Sequence, residues 1–243
     1  MTSIVLSIGT SHPWNVAGVG RDLIVGAEFG ARVFTAIAAV SAQDRGGVAA
    51  LHSVPRDVLA AQLATFPWDS AGAARVGALP TLHAVHVVAE ALRAYPWLPA
   101  VVDPVFTASR GGELADSSAR AAVRDELGGL PNVILTPNLQ EAAQLLASDS
   151  IARDALADAA LALRNRGALA VLLKGGHLDG EPADALATAS GVEIFSDARI
   201  AGRMHGTGCT LAMALACELS AGKSLRDAVR AARAYVRTQI ARH

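Results

Sequence analysis

The sequence predicts one α/β domain over residues 1–243, built on a mostly parallel central sheet. Three observations predict it. Short β-branched runs alternate with Ala/Leu-rich helical stretches from end to end, which is the rhythm of βαβ units. Hydrophobic residues make up 52% of the 243 residues and charged residues only 18%, below the roughly 25% usual for soluble domains, so a large core is expected and disorder is not. No internal repeat, low-complexity tract or Pro/Gly/Ser linker divides the chain.

The elements follow in order. Residues 4–8, Ile-Val-Leu-Ser-Ile, read as a first strand followed by a helix, and residues 33–39 as a second strand, followed by a loop and a helix from about Val58. Arg75-Val76 starts the next unit, with a helix over residues 82–94. Three more apolar runs, at 100–102, 133–135 and 170–173, each lead into a loop or helix. The stretch from 179 to 203 breaks the rhythm: Ala185-Leu186-Ala187 and Glu193-Ile194-Phe195, with Ser190-Gly191 between them, read as a small hairpin before the last helices.

Composition excludes several functions. With 21 Lys+Arg against 22 Asp+Glu the formal charge is −1, and no basic run offers nucleic acid an electrostatic footprint. The most apolar window, 23–40, is broken by Glu28 and Arg32, and Met1-Thr2-Ser3 lacks a basic n-region, so neither a membrane span nor a secretory signal is expected. The two cysteines, Cys209 and Cys217, stand eight residues apart in what reads as one helix, where they cannot bond each other, and a reducing cytoplasm is the expected compartment. Of the 21 basic residues, 19 are arginine and two, Lys174 and Lys223, are lysine. A lysine retained in a glycine-rich turn suggests that its compact, mobile ammonium is wanted there.

In open parallel sheets ligands bind outside the carboxyl ends of the strands, so the loops that follow each run carry the candidates. Gly206-Thr207-Gly208-Cys209-Thr210, preceded by His205, opens directly into the apolar helix Leu211-Ala212-Met213-Ala214. Two glycines let successive N–H groups point one way and the helix adds its positive end, which makes an anion site suited to a developing phosphoryl charge. Cys209 in the first turn, where the dipole lowers a thiol pKa, serves either as a base or to orient an acceptor hydroxyl; alternatively it packs as a small hydrophobe. Leu172-Leu173-Lys174-Gly175-Gly176-His177 ends a buried strand in a lysine that either meets nucleotide phosphates or is solvated beside a turn. In Thr136-Pro137-Asn138-Leu139-Gln140-Glu141-Ala142 the three-residue spacing of Asn138 and Glu141 matches a capping box, and the carboxylate also faces the strand ends, where it can hold magnesium through water. Asp103, before Pro104, reads as a magnesium or phosphate-network ligand or as an Asx turn. His83 and His86 in a helix, and His52 in a loop, read as surface residues without a third metal ligand.

Taken together, Asp103-Pro104-Val105, the Thr136–Ala142 segment, Lys174-Gly175-Gly176-His177 and His205-Gly206-Thr207-Gly208-Cys209-Thr210 resemble, in order and approximate spacing, the hydroxymethylpyrimidine/phosphomethylpyrimidine kinases of thiamin synthesis. The resemblance implies a ribokinase-like three-layer α/β/α sandwich, ATP and Mg2+ as cofactors, and in-line phosphoryl transfer to a hydroxymethylpyrimidine phosphate. It also implies roles. The amides of Gly206, Thr207, Gly208 and Cys209 would form the anion hole, Lys174 would contact ATP phosphates, and Asp103, Asn138 and Glu141 would belong to the magnesium and phosphate network. Ala17, Asp22, Gln43 and Val105 would line the pyrimidine pocket, and a homodimer is expected.

Departures from the family pattern cluster at the substrate end. Where the family usually reads Gly-Ser-Asp-Pro-Ser-Gly-Gly-Ala-Gly, this chain reads Thr10-Ser11-His12-Pro13-Trp14-Asn15-Val16-Ala17-Gly18. Ala78 stands where a Met is usual, Ala108-Ser109-Arg110-Gly111 replaces Ala-Lys-Ser-Gly, and the usual C-terminal extension does not follow His243. Arg21, Arg45, Arg75 and Arg110 read as loop or helix-start residues near the pocket, and an arginine fork suits a phosphate monoester, so the phosphorylated pyrimidine is the expected acceptor over the free alcohol. The alternatives are ordinary surface arginines, a pyridoxal/pyridoxine kinase, and a non-catalytic pyrimidine sensor; a sensor has no need for Lys174 together with Gly206–Cys209.

Overall fold

The computed structural model describes residues 2–44, 47–108, 111–176, 181–202 and 204–242. Its strands are β1 (Ile4–Ser11), β2 (Arg32–Asp44), β3 (Gly47–Ser53), β4 (Ala73–Val76), β5 (Ala100–Val102), β6 (Val133–Leu135), β7 (Ala170–Lys174), β8 (Ala183–Thr188) and β9 (Gly191–Ser196). The helices are α1 (Gly18–Glu28), α2 (Arg56–Ala64), α3 (Leu82–Ala94), α4 (Ser117–Ala122), α5 (Leu139–Leu146), α6 (Leu156–Arg164), α7 (Thr207–Ser220) and α8 (Leu225–Ala241).

The strands form one sheet in the order β3-β2-β1-β4-β5-β6-β7-β8-β9. From β2 through β7 every neighbour is parallel, and the edges are closed by antiparallel β3 on one side and the β8–β9 hairpin on the other. Successive strand residues point to opposite faces, and both faces are apolar. Leu6, Ala74, Val102 and Leu173 join one core beneath α2, α3, α4, α5 and α6. Val5, Ala73, Val101 and Leu172 join a second core beneath α7 and α8, with Val25 of α1. The result is the expected three-layer sandwich. Helix α7 is apolar on all sides, Leu211 to Cys217 being buried throughout, because it lies between the sheet and the neighbouring helices α1 and α8.

One part of the fold departs from the sequence reading. Residues 47–53 form a strand, so His52 lies in β3, where it is exposed, and not in a loop. That segment is alanine-rich and half solvated, and its strand character comes from pairing with β2, which runs on to Asp44. No helix among the described residues is long and apolar enough to cross a membrane.

The topology sets the position of the functional loops. β1 has β2 on one side and β4 on the other, so the winding reverses between β1 and β4 and their connections diverge, leaving a crevice at the carboxyl ends. β5, the next strand, is held in place from below by Asn132. Its buried side-chain amide donates to the carbonyls of Leu92, Tyr95 and Leu98, at 3.2, 3.2 and 3.1 Å, where α3 ends and the chain turns into β5. Asn132→Ala leaves those carbonyls without that donor in an apolar setting and is expected to lower unfolding free energy by about 2–3 kcal/mol, measurable by urea denaturation.

Candidate active site

The carboxyl ends of β1, β4, β5, β6 and β7 deliver the candidate residues to one rim, and the start of α7 packs against it. Gly206 caps α7 in the left-handed conformation, φ 76°, with no side-chain cap, so the first helical N–H groups keep their capacity for an external anion. A Cβ on Gly206 would collide with the Val16 carbonyl of the β1–α1 loop. One on Gly208 would lie 3.1 Å from Lys174 Nζ and 3.7 and 3.8 Å from the Asp103 carboxylate oxygens. Glycine at 208 therefore lets the helix backbone lie against the ammonium and carboxylate.

Beneath this rim runs a buried chain of charges. Lys174 Nζ donates to Asp103 Oδ1 at 2.7 Å, and the Thr136 hydroxyl reaches the same oxygen at 3.4 Å. Asp103 Oδ2 lies 3.5 Å from Arg75 Nη2, and Arg75 Nη1 lies 3.1 Å from Asp22 Oδ2, which also accepts from the Ser7 hydroxyl at 2.7 Å. Arg75 and Asp22 are fully enclosed. Burial alone would depress the Arg75 guanidinium, but Asp22, Cys209 and Asp103 together outweigh it and raise its pKa. For Lys174 too, burial is outweighed, here chiefly by Asp103 and Glu141, and the ammonium is held above its usual range. Burial pushes the Asp22 carboxyl up, with Arg75 opposing.

Several expectations are corrected here. Arg75 is a strand residue paired with two carboxylates, not a loop arginine free for a substrate phosphate. Asp22 has no exposed surface in this structure, and its carboxylate is held by Arg75 and Ser7. Arg21 is directed to α7, its Nε donating to Thr210 Oγ1 at 3.0 Å. Asp103 is a salt-bridge acceptor, and its carboxylate does not form an Asx turn. The Cys209 thiol is raised, not lowered: burial dominates, with Arg75 and the Gly18 N–H opposing it. Arg45, Ser109, Arg110 and His177 lie outside the described residues.

Other expectations meet the structure directly. Asn138 and Glu141 form both halves of the capping box, Asn138 N–H donating to Glu141 Oε2 at 2.7 Å and Glu141 N–H to Asn138 Oδ1 at 2.9 Å. Burial pushes the Glu141 carboxyl up to about 7, against the pull of Lys174. On the other flank, Gln43 sits at a bulge of β2 opposite Val48, and Val48 packs with Leu51, Ala78, Val105, Ala108 and Leu114. Gln43 thus pairs with a residue of the same apolar cluster as Val105, Ala108 and Leu114. Ala17 caps α1, and its carbonyl accepts from His12 Nε2 at 3.1 Å. Ser7, Thr136 and His12 are contributors the sequence reading missed; a lone polar side chain within the apolar first strand was the available signal for Ser7.

Two consequences are measurable. Replacing Arg75 by Met removes the ion-pair partner of buried Asp22, while Asp103 keeps Lys174, and is expected to cost about 3–5 kcal/mol, with partial recovery in the double variant with Asp22→Asn, read by thermal or urea unfolding. Glu141 has a folded pKa near 7, above its unfolded value of about 4.3, so the native state binds the extra proton and stability falls as pH rises through that window. Glu141→Gln keeps the capping box and removes this slope, so its stability relative to the parent should improve by on the order of 2–3 kcal/mol between pH 4.5 and 8, read from urea midpoints.

The chain is similar along most of its length to proteins of known activity. The sequence profile described as phosphomethylpyrimidine kinase matches residues 13–243. A hydroxymethylpyrimidine/phosphomethylpyrimidine kinase of Rhizobium meliloti is 38% identical over 253 residues, covering 99% of this chain and 91% of that protein. Its counterpart in Escherichia coli is 36% identical over 241 residues, covering 97% and 90%. Among solved structures, phosphomethylpyrimidine kinase from Clostridium difficile 630 superposes with a TM-score of 0.86 at 27% identity, covering 98% of this chain and 100% of that one. The pyridoxal kinase of Staphylococcus aureus in complex with pyridoxal gives 0.88 at 28% identity, covering 99% and 88%. A match along almost the whole chain, on a ribokinase-like fold with the candidate residues gathered at one rim, places this chain in the phosphomethylpyrimidine kinase family of phosphotransferases.

Proposed function

We propose that this protein transfers the γ-phosphoryl group of ATP to hydroxymethylpyrimidine phosphate, forming the diphosphate in thiamin synthesis, and that it favours this acceptor over the free alcohol. The observation that carries the reading is the start of α7, which has no side-chain cap, set directly against Lys174, with so little room at Gly208 that an added Cβ would lie 3.1 Å from the ammonium. Family membership supports ATP as donor. For Mg2+ the donor set also fits. Mg2+ in kinases is bound through one or two carboxylates plus substrate phosphates; Glu141, which gives one oxygen to the capping box, would be the carboxylate to hold it, with Asp103, engaged by Lys174 and Arg75, beside it. Bound Mg-ATP would supply the electrophilic phosphorus with part of its charge already neutralised.

The protein's own groups then act by position. The amides of Thr207, Gly208 and Cys209 hold the equatorial oxygens of the group in transfer, and Lys174, kept charged by Asp103, offsets the charge that builds on the departing diphosphate. Asn138 and Glu141, locked to each other, border the nucleotide side; Gln43, Val105 and Ala17 border the acceptor side. The new bond joins an acceptor oxygen to the γ-phosphorus while the bond from phosphorus to the β,γ-bridging oxygen breaks, and ADP leaves.

The raised Cys209 thiol bears on the choice of acceptor. A thiol held above its usual pKa by burial is a poor base at neutral pH. A phosphate monoester needs none, because its second pKa is about 6 and the attacking oxygen is already anionic. A free hydroxymethyl group must lose its proton during transfer. Cys209 therefore positions the acceptor and does not deprotonate it. A second reading, phosphorylation of pyridoxal, is favoured by the likeness to the Staphylococcus aureus pyridoxal kinase.

A coupled ADP-release assay with Mg-ATP tests these points together. Turnover is expected to be highest with hydroxymethylpyrimidine phosphate, lower with the free alcohol and least with pyridoxal; absence of turnover with the monophosphate overturns the proposal. Cys209→Ala should lower monophosphate turnover by less than about tenfold, short of the roughly 10²–10⁴ that loss of a general base costs.

A further inference from the structure

The loop between β1 and α1 carries a second observation that the chemistry above does not use. Trp14 lies at its tip with 53% of its surface exposed, although a large aromatic ring gains most by burial. The loop around it is closely tied. The Asn15 N–H donates to the His12 carbonyl at 3.3 Å, and His12, itself buried, donates from Nε2 to the Ala17 carbonyl at 3.1 Å. Asn15 adopts the left-handed conformation, φ 51°, which asparagine tolerates better than most residues. Its side-chain amide occupies the space that a Cβ on Gly20 would need. The far end of the loop reaches the anion cradle, since the Val16 carbonyl and Ala17 Cα sit where a Cβ on Gly206 would go.

The loop also stands on a particular side of that cradle. Lys174, Asn138 and Glu141 rise from the ends of β6 and β7, whereas this loop leaves β1, on the same flank as the β2–β3 hairpin. The loop thus rests its far end on the start of α7 and carries at its tip an indole with 53% of its surface exposed, a flat apolar face within the same loop.

We propose that Trp14 is a specificity-determining residue that stacks on the heteroaromatic ring of the phosphoryl acceptor. The inference rests on the proposed kinase reading, names the residue of this chain that grips the acceptor ring, and assigns no part in the transfer step. Stacking of a six-membered heterocycle on an aromatic side chain is worth on the order of tenfold in affinity.

The test uses the full-length protein and two readouts. In steady-state assays, Trp14→Ala should raise KM for hydroxymethylpyrimidine phosphate about tenfold while KM for ATP and kcat stay within about twofold, and Trp14→Phe should recover most of the loss. An unchanged acceptor KM in Trp14→Ala overturns the inference and leaves the kinase reading standing. In a Trp97→Phe background, where the remaining tryptophans are Trp14 and the buried Trp68, titration with hydroxymethylpyrimidine phosphate or pyridoxal, without ATP, should quench emission, and adding Trp14→Phe should abolish the quench. Trp97 precedes β5 at the opposite end of the sheet, so its replacement reports on neither site. Because this second readout needs no turnover, it decides the inference even if the assayed reaction fails: a quench that survives Trp14→Phe, or no quench with either ring, overturns it.

Discussion

A guanidinium with no exposed surface, Arg75, lies between the carboxylates of Asp22 and Asp103, and the working rim is assembled around that contact. Asp22 belongs to α1, Arg75 to β4, Asp103 to the end of β5, and the Cys209 thiol at the start of α7 also reaches the guanidinium. An isolated charge in such a place would carry a desolvation penalty of several kcal/mol. The elements are therefore tolerable only together: α1, the central strands and the anion helix each bring a group that another element's buried charge requires. Asp103 extends the chain to Lys174 on β7, so the same cluster that secures the core also sets the ammonium beside Gly208.

That arrangement explains how a positive site persists in a low-dielectric setting. Lys174 is largely but not wholly buried, and its charge is retained because Asp103 and Glu141 face it. Glu141 is the adjustable member. Its carboxyl is committed to the capping box through one oxygen and is pushed up to about 7 by burial, against the pull of Lys174.

The Cys209 thiol shows the same competition between a local and a global effect. Its place in the first turn of a helix favours the thiolate, and Arg75 pulls the same way, yet burial prevails and raises the pKa. Phosphoryl transfer through a loose transition state asks little of a base and much of position. The structure supplies position generously: a glycine-capped helix, a paired lysine, a capped α5, and the β1–α1 loop pressed against the helix start.

Much of this was legible in the sequence, because it depends on residues close together along the chain. Strand runs, the 82–94 helix, the two-residue turn of the β8–β9 hairpin, the Asn138–Glu141 box and the glycine-led start of α7 all follow from periodicity and capping within a few residues. What the sequence left open depends on partners brought from afar. Lys174 and Asp103 are 71 residues apart, and Arg75 and Asp103 are 28 apart. Without those distances Arg75 read as a loop arginine near the pocket and Cys209 as an activated thiol. Residues 47–53 read as a loop because an edge strand owes its conformation to the neighbour it pairs with. By itself the sequence determined the order of elements and the chemistry available at each strand end. Only the tertiary structure decided which charges are buried, which are paired and which way each proton equilibrium leans, because desolvation is set by everything packed around a group and not by its neighbours in the chain.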